Sequence, residues 1–194
     1  VLCRKPISPE NANGGIVPCG RCHHCRVNIR NKKTARLVLE SHHTDFARFV
    51  CLTYSDKFLP KEYVHPLTGQ IFGHEGGTLA RTDVVNFIKR LRRRLPPQSL
   101  RTFYCGEYGD DTLRPHYHLV LWTPFELHRE TIVDAWIDPA SGELMCNPER
   151  LTVETPRSEH DVAQYCLSYV IKRFTRADMP ELEGRYPEFS GGSQ

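Results

Sequence analysis

Hydrophobic positions change their spacing several times along the chain, and each change predicts an element. A helix pattern covers residues 27–44, followed by the compact apolar run Phe49-Val50-Cys51-Leu52-Thr53-Tyr54, which predicts a buried strand. Residues 55–80 are punctuated by Pro60, Pro66, Gly69, Gly73, Gly76 and Gly77, so loops are expected there around one hairpin at 63–72. Val84, Ile88, Leu91 and Leu95 then fall on one helical stripe with Phe87 beside it, capped by Thr82 and stopped by Pro96-Pro97. Strands are predicted at 102–105 and 116–122 with a loop between them. A further helix is predicted at 125–136, and short strands at 144–145 and 151–153. Ser158 with Asp161 three residues on reads as a capping box that opens a helix to about residue 174. Residues 1–18 form an irregular lead-in, and the polar tail ending Gly191-Gly192-Ser193-Gln194 reads as a frayed or truncated end. Helices and antiparallel-type strands in mixed order predict an α+β domain, its central antiparallel sheet of about five strands flanked by helices.

At 194 residues the chain is long enough for one well-buried domain. It divides into a Cys-rich segment at 1–25, the main domain at 26–180 and a tail at 181–194, read as the truncated end of a longer protein. No apolar run approaches the ~20 residues of a membrane span, and Val1-Leu2-Cys3-Arg4-Lys5 lacks the apolar core of a signal peptide. Internal repeats and a phosphate-cradling Gly-Lys loop are also missing, which excludes a nucleotide-driven motor in this stretch. Net charge is only +3, but its distribution is uneven. Arg81, Lys89, Arg90, Arg92, Arg93, Arg94 and Arg101 face Asp83 alone, and Arg21, Arg26, Arg30, Lys32, Lys33 and Arg36 cluster in the first helix. Such stretches fit a local polyanion footprint, and equally a solvated helix face. Cys51, Cys105, Cys146 and Cys166 are scattered through apolar segments as small hydrophobes, which points to a reducing compartment.

Chemistry concentrates in Arg114-Pro115-His116-Tyr117-His118. In a strand, His116 and His118 face the same way and can chelate one divalent ion, while Tyr117, Leu119 and Leu121 turn to the other, apolar face. Glu107, at the end of the preceding strand, can add an oxygen ligand; such a mixed site suits Mg²⁺ or Mn²⁺ on a phosphate oxygen. In the last helix Tyr165, Tyr169 and Lys172 share one face, an arrangement that suits a phenol nucleophile with a lysine to neutralise phosphate charge. Together these parts make a phosphoryl-transfer site. Cys19, Cys22 and Cys25, with Cys3 upstream, fit a structural Zn²⁺ site, with His23 or His24 as substitutes for Cys3; a reduced thiol cluster is the alternative.

At these residues the sequence resembles the HUH endonuclease superfamily, through His116-Tyr117-His118, through Phe49 to Tyr54, and through Tyr169-x-x-Lys172. Glu107 is similar in placement to that superfamily's third metal ligand. Pro18-Cys19-Gly-x-Cys22, Cys-Gly-Glu107-Tyr-Gly and the tyrosine pair further resemble replication initiators of small single-stranded DNA phages of the microvirus and gokushovirus type. The resemblance implies nicking of single-stranded origin DNA, a 5′-phosphotyrosine link and a free 3′-OH for rolling-circle synthesis. Two tyrosines imply alternating cleavage and rejoining. Host replication proteins as partners, no membrane, and the bacterial host's cytoplasm as location are implied as well. The pattern departs at Ser168, which stands where a lysine three residues after Tyr165 is expected. For contacts to the DNA backbone the expected side chains are Lys89, Arg90, Arg92, Arg93, Arg94 and Arg114. The rival readings are a transposase or relaxase of the same superfamily, a hydrolase using metal-activated water, and a non-catalytic single-strand-binding module.

Overall fold

The computed structural model of the chain describes residues 2–9, 14–20, 22–158, 161–162, 165 and 179–192. Its elements follow as α1 (His23–His42), β1 (Phe46–Leu52), β2 (Glu62–Val64), β3 (Ile71–Gly73), α2 (Arg81–Arg94), β4 (Arg101–Tyr108), β5 (Pro115–Thr123), α3 (Arg129–Val133), β6 (Thr152–Glu154) and β7 (Phe189–Gly192). Asp161, Val162 and Tyr165 are helical as well. The main sheet runs β6-β1-β5-β4-β7, every pair antiparallel, and β2 and β3 make a separate hairpin. The architecture is α+β, a five-stranded antiparallel sheet flanked by helices, consistent with the HUH fold.

Alternation along β5 decides what lies on each side of the sheet. Tyr117, Leu119 and Leu121 join Val50, Leu52 and Tyr104 in a core closed by Val84, Phe87, Ile88 and Leu91 of α2. Val120 and Trp122 point the other way, into a second cluster with Phe49, Phe103, Val162 and Leu37 of α1. Each such side chain contributes about 1.5–3 kcal/mol when fully buried, so both sides of β5 are strongly specified. No helix among the described residues is long and apolar enough to cross a membrane.

Several boundaries depart from the sequence reading, each for a local reason. Helix α2 starts at Arg81 after Ala80, and no side chain caps it, Thr82 included. Its start is fixed instead by the Tyr117 hydroxyl, which accepts from the Ala80 N–H at 2.8 Å and lies 3.2 Å from the Ala80 carbonyl. Tyr54 completes the arrangement, 2.8 Å from the Tyr117 hydroxyl and donating to Asp83 Oδ2 at 2.8 Å. The helix expected at 125–136 shrinks to α3, because the Leu127 carbonyl accepts from Arg48 Nε at 3.1 Å while Arg48 also pairs with Glu126. The strand expected at 144–145 is a single bridge, Ile137 to Leu144. Strand β4 runs on to Tyr108, so the expected long loop is a tight turn closed by Gly109 N–H to the Arg114 carbonyl at 3.0 Å.

At the far end, the Gly-Gly segment read as frayed forms β7, with Phe189 opposite Gly106. A β-carbon on Gly106 would lie 2.8 Å from the Phe189 ring, so the bare glycine is what lets that ring settle on β4. The Ser158 cap holds: its Oγ accepts from the Asp161 N–H at 3.2 Å, while the Asp161 carboxylate returns to Arg157 N–H at 3.1 Å. Tyr169, Lys172 and the remainder of that predicted helix lie outside the described residues.

Candidate metal centre

The register of β4 on β5 sets Glu107 opposite His116 and Cys105 opposite His118, all on the face that carries α1. Glu107 Oε1 lies 3.2 Å from His116 Nε2 and 3.2 Å from His118 Nε2. The three ligand atoms fall within 4.8 Å of one another. An octahedral ion with bonds of about 2.1 Å holds neighbouring ligands roughly 3.0 Å apart, so this trio already has the spacing of three adjacent vertices. Two imidazoles and a carboxylate leave the other vertices to water or to a phosphate oxygen. The donor set therefore fits a divalent cation.

Secondary contacts orient these ligands. His116 Nδ1 lies 3.0 Å from the Arg114 carbonyl; a proton on Nδ1 makes that bond and leaves the Nε2 lone pair for a ligand. Burial raises the affinity of Glu107 for a proton, but the hydrogen bonds and charges of His116 and His118 outweigh it and hold the carboxyl at about 2. It is a carboxylate at neutral pH, as a ligand must be.

Tyr165 sits beside this group. Its hydroxyl is 2.8 Å from His118 Nδ1, and its ring stacks on Phe49 with centroids 4.2 Å apart. Arg114 is nearby in the chain and anchored, by an ion pair to Asp56 at 2.7 Å and a hydrogen bond to the Tyr54 carbonyl at 2.8 Å. The other expected DNA contacts are elsewhere. Lys89, Arg90, Arg92, Arg93 and Arg94 ride on α2, across the sheet from Glu107, His116 and His118. Arg90 donates to the Ala135 carbonyl at 2.8 Å and Arg94 lies 3.7 Å from Asp134, so both tie α2 to its neighbours. The sequence reading missed Cys51 and Cys105, which flank His118 from the two adjoining strands. Strand alternation from Phe49 could have placed Cys51 on that face. Only the pairing register brings it to His118.

A second group forms where the lead-in meets α1. Cys3, Cys19, Cys22 and Cys25 converge, with Sγ separations of 3.6 Å (Cys3 to Cys19), 3.8 Å (Cys3 to Cys22) and 3.9 Å (Cys19 to Cys25). The Cys19 N–H donates to Cys3 Sγ and the Cys22 N–H to Cys19 Sγ. Backbone hydrogen bonds at Cys25 and Arg4 lower Cys22 to about 6. Cys22 is also the residue before α1, so the helix starts within the cluster, four residues earlier than its apolar pattern predicts.

Comparison with known proteins places these features. The family model for replication-associated proteins of the ORF2 type matches residues 47–174, a span that includes Glu107, His116, His118 and Tyr165. The replication-associated protein VP4 of Bdellovibrio phage phiMH2K is 30% identical over 125 residues, which is 63% of this chain and 36% of that protein. The match thus spans about a third of the relative's length. No solved structure matches the chain significantly.

Proposed function

The chain belongs to the family of ORF2-type replication-associated proteins, and from that premise we propose that it is a replication initiator endonuclease. It nicks single-stranded origin DNA through a tyrosine and remains linked to the new 5′ end. In the nick, the phenolic oxygen attacks phosphorus, the bond to the 3′ oxygen breaks, and that oxygen takes a proton to leave a free 3′-OH. The same step in reverse, with a second tyrosine in use, rejoins the strand.

The observation that carries this reading is the Tyr165 hydroxyl, 2.8 Å from a histidine of the trio on the face the trio occupies. Glu107, His116 and His118 would hold Mn²⁺ or Mg²⁺, which when bound supplies polarisation of the scissile phosphate. His118 has Nε2 toward Glu107 and Nδ1 toward Tyr165. A proton donated from Nδ1 steadies the phenolate that attack requires. Lys172 is assigned to phosphate charge and Tyr169 to the second strand transfer. Family membership supports a role in replication initiation, and the host cell of a phage, with its replication proteins, is the proposed setting.

The test is direct. Incubated with a single-stranded origin-like oligonucleotide and Mn²⁺, the chain is expected to give a slower band on a denaturing gel, and chelation to stop its formation. Binding without any cleavage would leave a nucleic-acid-binding module. Cleavage without an adduct would leave a hydrolase that activates water.

The four thiols are assigned a structural zinc. With Zn–S bonds of about 2.3 Å a tetrahedral site has sulfur–sulfur edges of roughly 3.8 Å, close to the separations above. The lead-in has little else to order it: among the described residues it makes one bridge, Ile7 to Val17, and Leu2 and Ile16 are exposed. About one zinc per chain is expected by elemental analysis, lost in Cys22→Ser. Hydrogen exchange should then show protection lost at Ile7, Val17 and Cys19 but kept in β4 and β5, whose cores do not include the lead-in. Metal-free protein with the lead-in still protected would refute the assignment.

A further inference from the structure

Between α1 and the edge made by β4 and β7 lies a cleft of about 430 Å³. It opens on the same side of the sheet as Glu107, His116 and His118, since Leu37, Phe103 and Trp122 line it and belong to the α1-facing cluster. Its rim is cationic. Arg36, Arg81, Arg101 and Lys33 line it against one carboxylate, Glu40. Glu40 is engaged by Arg101 at 3.1 Å, and Lys33 donates to Ser190 Oγ at 2.6 Å across the cleft. Arg36 is exposed and makes no ion pair among the described residues, and Arg81 is exposed with its guanidinium 6.0 Å from the Phe189 ring centre. Two arginines therefore present charge that no acidic side chain of the cleft neutralises.

From this geometry we infer that the cleft is the seat of the single-stranded DNA flanking the cleavage point, with Arg36 and Arg81 on its phosphates. The inference rests on the reading of the chain as acting on single-stranded DNA. Phe103 and Glu107 point the same way four residues apart on β4, which is ~14 Å along the strand. A strand whose phosphate sits at the histidines can thus reach the cleft without crossing the sheet. An apolar floor under a cationic rim matches a polymer that offers bases and sugars as well as phosphates. A duplex keeps its bases stacked inward and would leave the floor unused. The arginines of α2, on the opposite side, are not on this path.

The experiment is fluorescence anisotropy of the full chain with a labelled oligo-dT strand, without divalent cation or chelator, titrated at several KCl concentrations. Each phosphate contact contributes about 0.7 to the slope of log affinity against log salt for a single strand. The Arg36→Ala/Arg81→Ala pair is expected to weaken binding several-fold and flatten that slope by about 1.4. Arg36→Lys/Arg81→Lys should restore it, which separates lost charge from a damaged fold. Arg92→Ala/Arg93→Ala on α2 should leave affinity and slope as in the native chain. The inference is overturned if the cleft pair keeps the native slope, if the lysine pair does not restore it, or if the α2 pair loses as much. A duplex that competes as well as unlabelled oligo-dT overturns the single-strand assignment. Adduct formation by the native chain is scored separately. Adduct in the native chain with unaltered binding in the cleft pair sinks this inference alone. Weakened binding in the cleft pair, with no adduct from the native chain, sinks the proposed nicking alone.

Discussion

A chain carrying both Tyr165→Phe and Tyr169→Phe is expected to bind single-stranded DNA as the native chain does and to form no covalent adduct with it. The change at Tyr165 removes one oxygen and keeps the ring, so the stack on Phe49 and the packing against the α1-facing cluster survive. What disappears is the group 2.8 Å from His118 Nδ1. Phenylalanine offers no nucleophile in its place, so the expected loss is complete. The single variants add information. Tyr165→Phe alone should retain some adduct if Tyr169 can reach the same phosphate, and peptide mapping of that residual adduct would locate it. Adduct in the double variant would dispose of the nucleophile assignment while leaving the metal centre standing.

The second large effect is expected at His118. His118→Ala should slow metal-dependent cleavage on the order of 10³-fold, the scale lost with a group that stabilises charge developing in a transition state. His118 faces both Glu107 and Tyr165, and the substitution removes the imidazole from both. The two losses separate in a Mn²⁺ titration. Glu107→Gln should weaken Mn²⁺ binding and recover much of its rate at high Mn²⁺. His118→Ala should stay slow at saturation, because added metal does not restore the partner of the phenol. Single-turnover cleavage and a direct Mn²⁺ binding measurement provide both readouts. A His118→Ala rate within about tenfold of native would contradict the arrangement.

Much of this is legible in the residues because β5 reads unambiguously. Alternation over residues 116–122 assigns Tyr117, Leu119 and Leu121 to the apolar face and the two histidines to the other, and both faces are as expected. Glu107 is legible as a neighbour of His116 because a tight turn must bring β4 back beside β5. The failures share a cause: the determining contact is distant in sequence. β7 has no run of β-branched residues, and it is a strand because Gly106, more than 80 residues earlier, leaves room for Phe189. Helix α2 has no polar cap in its own sequence because Tyr117, from another element, supplies the hydroxyl. The arginines of α2 resemble a polyanion site in one dimension, and their side of the sheet is known only from packing. Cys3 joins the cluster ahead of His23 or His24 through the folding back of the lead-in, a matter of geometry that spacing alone leaves open.

Tyr117, between the two histidines, gives the strand a way to keep count. Had β5 slid one position along its neighbours, both imidazoles would lie in the oily interior and a phenol would occupy the ion's place. The same displacement would strip Ala80 and Tyr54 of the hydroxyl they share. Error in alignment is thereby penalised on both surfaces at once, and the spacing of the ligands is guarded from behind by a side chain that need never touch the ion.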